Sequence, residues 1–228
     1  MKKEKPRKEM SLSDYAELLP PQNVNSYIGV MGNGEIDPNS RPILDFNVKG
    51  EIPKSYMDKV PPFLTNKEGK RNAQAYDFII DQFNVENQAR YKRDKYTYCN
   101  TFVWDVMTAM GFNWDNMGAT DMHIQLEKES EKSDSGWIEV SAREAQEYAD
   151  MGMLSISAWR RKGDEGDSHV QIVRPMRKGD AFDPEMGPFV AQAGASNFSY
   201  DYAIRALGKN KLFGLSGNDP TRFFVYLK

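Results

Sequence analysis

Near residue 154 the apolar pattern of this 228-residue chain changes period, and the change limits its fold more than any other feature. Before it, apolar residues recur at helical spacing: Ala73, Tyr76, Ile79, Ile80 and Phe83 in AQAYDFIIDQFN, then Phe102, Val103, Val106, Met107 and Met110 in YTYCNTFVWDVMTAMG. Such spacing lays one stripe along a helix. Gly111 stops the second helix, and Ser141-Ala-Arg-Glu144 has the reciprocal capping pattern that opens a third, through AQEYADM to Gly152. After residue 154 come four strand-like runs, LSISAWRR (154–161), HVQIVRP (169–175), FVAQAG (189–194) and RFFVYLK (222–228), parted by Gly, Asp and Pro clusters. Consecutive strands joined by a loop as short as KGDEGDS pair antiparallel. The expected class is α+β, with N-terminal helices packed on one face of a C-terminal antiparallel sheet over residues 66–228.

Residues 1–65 follow another rule. Prolines at 6, 20, 21, 38, 42, 53, 61 and 62, with turn signals at Gly32-Asn33-Gly34 and Asp37-Pro38-Asn39, describe an irregular arm with short extended pieces such as ILDFNV. We expect this arm to pack on the body rather than stand apart as a linker or pro-segment. Met31-Gly-Asn-Gly is a turn, because a phosphate loop needs its glycines between strand and helix and a correctly spaced lysine. The run EKESEKSDS (127–135) lacks the ligand spacing and central glycine of a calcium loop and reads as a solvated loop. No metal and no cofactor is therefore expected.

Thirty basic and thirty-three acidic residues leave a formal net charge of -3, so no global field draws in nucleic acid or an anionic membrane. No stretch approaches the roughly 18 apolar residues of a membrane span, which argues against membrane insertion. MKKEKPRKEM has the charge of a signal-peptide start, but SLSDYAELLPPQ stands where the apolar core should be. No Sec signal is recognisable, and the expectation is synthesis in the cytoplasm.

Cys99 is the single cysteine, so it is a buried thiol, a reactive thiol or an intermolecular bridge. It opens the second helix, where free N–H groups and the positive dipole end favour a thiolate and can hold an oxyanion. A reactive cysteine needs a base, and the chain has two histidines. His123 lies in TDMHIQLE, a polar, loop-rich insertion with no neighbours that suggest a site. His169 begins a strong strand directly after GDEGDS, where its ring can sit at a sheet edge facing a helix terminus, and is the better base. The blander readings are a small buried thiol and a satisfied strand-end histidine.

Three segments carry a resemblance. Cys99-Asn-Thr-Phe-Val-Trp-Asp-Val-Met, Ser168-His169-Val-Gln-Ile-Val and Phe189-Val-Ala-Gln192-Ala-Gly-Ala-Ser resemble, in order, the three motifs of the NlpC/P60 and CHAP superfamily of cell-wall peptidases and amidases. Tyr98 stands where NlpC/P60 members usually carry aspartate, and Asn100-Thr101 replace their Ser-Gly. The first motif thus leans toward CHAP and the third toward NlpC/P60. The resemblance implies a circularly rearranged papain-like fold over residues 70–228. It implies Cys99 as nucleophile, His169 as base and Gln192 as the residue that orients the imidazole, with Asn197 as the alternative third member. Tyr98 would add an oxyanion donor or pack beside the helix, and Asp167 and Ser168 would line the cleft or form its turn. The implied reaction is cleavage of an amide in peptidoglycan, by an endopeptidase or amidase acting at the cell wall after release or export. A phage lysin, a virion-associated lytic protein or an exported toxin fits, with a phage structural partner or an immunity protein beside the peptidoglycan substrate. Two alternatives share the fold: an acyltransferase or deamidase using the same dyad, and an inert structural or binding module.

Overall fold

The computed structural model describes residues 10–11, 62, 64–67, 71–161 and 168–228; the ILDFNV segment, the turns at 31–39 and Asp167 lie outside these. A two-residue parallel pair, β1 (Met10–Ser11) with β2 (Leu64–Thr65), precedes the body. Leu64 is buried, and Gln82 grips its backbone, accepting from the Leu64 N–H at 2.8 Å and donating to its carbonyl at 3.0 Å. Helix α1 (Ala73–Asp81) starts where Asn72 caps it, the side chain accepting from the Ala75 N–H at 2.8 Å. Helix α2 (Cys99–Ala109) ends as its glycine requires: Gly111 has φ +97°, and the Phe112 N–H reaches back to the Met107 carbonyl at 2.9 Å. Then follow α3 (Ala119–Ser130), strand β3 (Trp137–Val140) and α4 (Ala142–Asp150), whose capping box between Ser141 and Glu144 is complete.

The remaining elements are β4 (Ser155–Arg160), β5 (Ser168–Val173), β6 (Phe189–Gln192), β7 (Phe198–Tyr202), α5 (Ile204–Phe213) and β8 (Arg222–Tyr226). They complete a six-stranded sheet, ordered β3-β8-β4-β5-β6-β7 with every neighbour antiparallel. The chain is thus mixed α and β, with the expected strands in the expected pairing sense. Besides α3, three elements were not foreseen. β3 is only four residues long, and β7 is mostly half-exposed polar chain. α5 is interrupted by Gly208 at φ +69°, ψ 164°. They break the order of helices first and strands afterwards, because β3 precedes α4 and α5 precedes β8.

Strand alternation gives the sheet two unlike faces. Ile156, Ala158, Val170, Ile172 and Phe224 share the apolar face, while Ser155, Ser157, Trp159, His169 and Gln171 share the other. α3 lies on the apolar face, with His123 against Phe224 at 6.0 Å between ring centres. On the opposite side the Lys211 ammonium of α5 sits 4.0 Å from the Trp159 ring. Helices therefore cover both faces, a correction to the single-face expectation. The polar insertion also proves to be helical. TDMHIQLE forms the body of α3, and EKESEKSDS continues that helix to Ser130 before turning. Only Met122, His123 and Leu126 of α3 are buried, so charged residues mask its apolar stripe in the sequence.

Two buried arginines fasten the helices. Arg90, fully buried in the 3-10 turn Ala89–Tyr91, grips the Asp105 carboxylate of α2 through Nε at 2.7 Å and Nη2 at 3.0 Å, and Tyr91 donates to the same carboxylate at 2.7 Å. Arg174, just past β5, bridges Asp77 and Asp81 of α1 at 2.6 and 2.9 Å. Removing one partner strands a buried charge. Asp105→Ala is expected to lower the unfolding free energy by about 3–5 kcal/mol in urea denaturation.

Candidate active site

The site forms where β6 leaves β5. The two strands pair at Ile172–Ala191 and Val173–Val190, and the Arg174 N–H donates to the Phe189 carbonyl at 2.9 Å. Even-numbered residues of β5 thus aim their N–H groups toward β6. At Val170 the ladder has stopped, and the Val170 N–H lies close enough to the Cys99 sulfur to favour its thiolate. The sulfur therefore lies near the backbone amide that follows His169.

Cys99 is the first residue of α2 and is 3% exposed. Burial pushes its thiol pKa up, and the Val170, Asn100 and Cys99 N–H groups pull it down by less. The resting thiol is therefore protonated at neutral pH. Its side chain borders a cleft of about 550 Å³, walled by Asn100 of α2, by Thr120, Asp121 and Ile124 of α3, and by Ser168 of β5. Thr120 Oγ1 donates to Ser168 Oγ at 2.9 Å, and Asn100 Nδ2 donates to the Met117 carbonyl at 2.9 Å, so cross-links hold the wall.

His169 and Gln192 meet on the other face. Continuing the β5–β6 register sets Gly194 opposite His169, and a Cβ added to Gly194 would overlap Gln192 Oε1 and come 3.1 Å from His169 Cε1. The carboxamide and the imidazole therefore flank one point, which a glycine leaves open. Gln192 is 1% exposed; its Nε2 donates to the Ser196 carbonyl, while Oε1 makes no hydrogen bond among the described residues.

The other expected site residues separate. Ser168 lines the cleft. Asn197 accepts from the Gly194 N–H at 3.0 Å and donates to the Val85 and Tyr91 carbonyls at 3.0 and 2.9 Å, so it clamps the scaffold and lies outside the cleft. Tyr98 is buried beside α2 and donates its hydroxyl to Asp94 at 2.7 Å, which makes it a packing residue rather than an oxyanion donor. Sequence reasoning missed Asn100, Thr120 and Asp121 as cleft residues. The helical reading of α3 was the signal that would have placed the last two.

His123 is no part of this cleft. Its Nε2 lies 3.4 Å from Glu127 Oε1, and Glu127 in turn meets Arg160 and Arg222. Burial, more than the two arginines, holds its pKa below 6.5, against the pull of Glu127. A histidine that resists protonation only when folded contributes stability that is complete above about pH 6.5 and declines as pH falls below it. The unfolding free energy is expected to drop between pH 7.5 and 5.5, and His123→Gln to remove that component.

Gly194→Ala is expected to push the Gln192 carboxamide off the ring and to move the His169 imidazole 15N resonances in long-range NMR spectra. Gln192→Ala should move them the same way. A ring indifferent to both substitutions is not oriented by Gln192.

No protein-family model matches this chain, and comparison with the curated proteins finds no match.

Proposed function

We propose that the chain is a cysteine hydrolase with a papain-like catalytic arrangement of the NlpC/P60 and CHAP type, and that it cleaves an amide bond in peptidoglycan. The observation that carries this reading is the placement of the Cys99 sulfur. It sits at the amino end of α2, near the N–H groups of Asn100 and Val170, and Val170 directly follows the residue that bears the imidazole. Cys99 passes its proton to His169 as the sulfur attacks the amide carbon, and the resulting oxyanion meets the N–H groups at the start of α2. The intermediate collapses to a thioester as His169 protonates the departing amine. Water, deprotonated by His169, then releases the acid and restores the thiol. Gln192 is neutral, so it orients the ring without adding charge stabilisation to the imidazolium. Peptidoglycan as substrate, and action at the wall after release or export, rest on the motif resemblance.

A second reading draws on the burial of the same sulfur: an inert module in which Cys99 packs as a small apolar group. Iodoacetamide separates the two. As a hydrolase, the protein should be alkylated at Cys99 at a rate that His169→Ala lowers, whereas in the inert module that substitution leaves the rate unchanged. Digestion of peptidoglycan from several chemotypes, with mass analysis of fragments, should show one newly cut amide. Cys99→Ser and His169→Ala should each lower that activity by at least about 10²-fold. An alkylation rate indifferent to His169→Ala, with lysis unchanged in Cys99→Ser, leaves the inert module standing.

A further inference from the structure

We infer that Asp121 makes the Cys99 cleft selective for substrates that carry a primary ammonium group next to the amide to be cut. The inference rests on the hydrolase reading and names its substrate class. Among the described residues that line the cleft, Asp121 is the one with a formal charge at neutral pH. The other linings are hydroxyls and an amide, from Thr120, Ser168 and Asn100, together with small or apolar groups such as Ile124. An ammonium has three donors and no acceptor, so it matches a carboxylate flanked by hydroxyl oxygens that still have lone pairs.

Two details place that carboxylate for a ligand. Asp121 stands in the first turn of α3, and its Oδ2 lies 3.6 Å from where a Cβ on Gly118 would be. The group folds back over the bare start of its own helix, at the rim shared with Cys99. Gly118 has no side chain to cap the helix, and both Gly118 and Asp121 line the cleft. The amino end of α3 carries about half a positive charge, which offsets part of the carboxylate but leaves the balance negative. The amino end of α2 adds a similar partial charge, but both helix ends spread theirs over several N–H groups, whereas the carboxylate concentrates a full negative charge at one point of the lining. The volume of about 550 Å³ suits a ligand of a few residues.

The test reads charge preference at the sulfur without requiring turnover. Two methanethiosulfonates, one bearing an aminoethyl and one a sulfonatoethyl group, each form a disulfide with the Cys99 thiolate and release methanesulfinate. Rates followed by mass spectrometry, each divided by the rate with free cysteine at the same pH, give a cation-to-anion ratio for the cleft. That ratio should exceed one, fall by about three- to tenfold in Asp121→Asn, and be kept in Asp121→Glu. Thermal midpoints of the variants show that they are folded, and Cys99→Ala shows that labelling is at this sulfur. A ratio that Asp121→Asn leaves unchanged overturns the inference, and so does a sulfur that neither reagent reaches. If peptidoglycan is cut but the ratio is indifferent to Asp121, the hydrolase reading stands and this inference fails. If the ratio depends on Asp121 but no amide is cut, the cleft selects cations and the hydrolase reading fails.

Discussion

The early parting of β6 from β5 is the constraint on which the site depends. A buried backbone N–H must be paired, and a strand that loses its neighbour halfway exposes several at once. Here the Val170 N–H lies near the Cys99 sulfur, and the Gly194 N–H turns to the Asn197 side chain, which also holds the carbonyls of Val85 and Tyr91. Each replacement ties the split to a different element. The first draws in the start of α2, and the second draws in the segment that carries Arg90. Arg90 then grips Asp105 from the far side of the same helix. The position of Cys99 is thus fixed at its own amide contacts and again one and a half turns further along α2.

These ties have unlike strengths. A backbone N–H on sulfur is weak, and burial outweighs all three such contacts in setting the thiol pKa. The Arg90–Asp105 pair is buried and doubly hydrogen-bonded, so its loss costs far more than its formation contributes. Its role is to specify where α2 lies rather than to supply net stability. Precise placement matters because the sulfur has little freedom: Cys99 is buried and borders the cleft at the first turn of α2.

Much of the body was legible from residue types. Helices announced by capping chemistry were placed closely, since Ser141 and Glu144 satisfy each other locally and Gly111 and Gly152 take the positive φ that ends a helix. The long strands were equally plain, because β4 and β5 are buried on both faces and read as continuous β-rich runs. What escaped was structure that depends on distant partners. β3 is a strand because β8 returns to pair with it, a contact with no trace in the four residues WIEV. α3 hid its amphipathic stripe because Glu127 serves as the acceptor for Arg160 and Arg222 from the sheet, so an inward-leaning acid imitates a solvated one. Of the candidate site, the placing of Cys99 at the start of a helix and of His169 in a strand was legible. The cleft was not, since its far wall is the start of that unrecognised helix.

The chemistry of the proposed hydrolase follows from where the balance of forces on the thiol falls. Had the helix N–H groups prevailed over burial, the resting state would be a thiolate beside an imidazolium, and an aspartate would be the natural third residue to steady that ion pair. Burial prevails instead and pushes the thiol pKa up. The proposed third residue, Gln192, brings no charge to the imidazole, and its Nε2 is held by the Ser196 carbonyl. Charge then appears only as the proton moves, in step with attack on the amide, and at that moment the backbone N–H groups around the sulfur and the start of α2 are already in place. A carboxylate in the cleft lining is compatible with this scheme because Asp121 lines the cleft from α3, whereas His169 belongs to β5 and is not among the residues that line it.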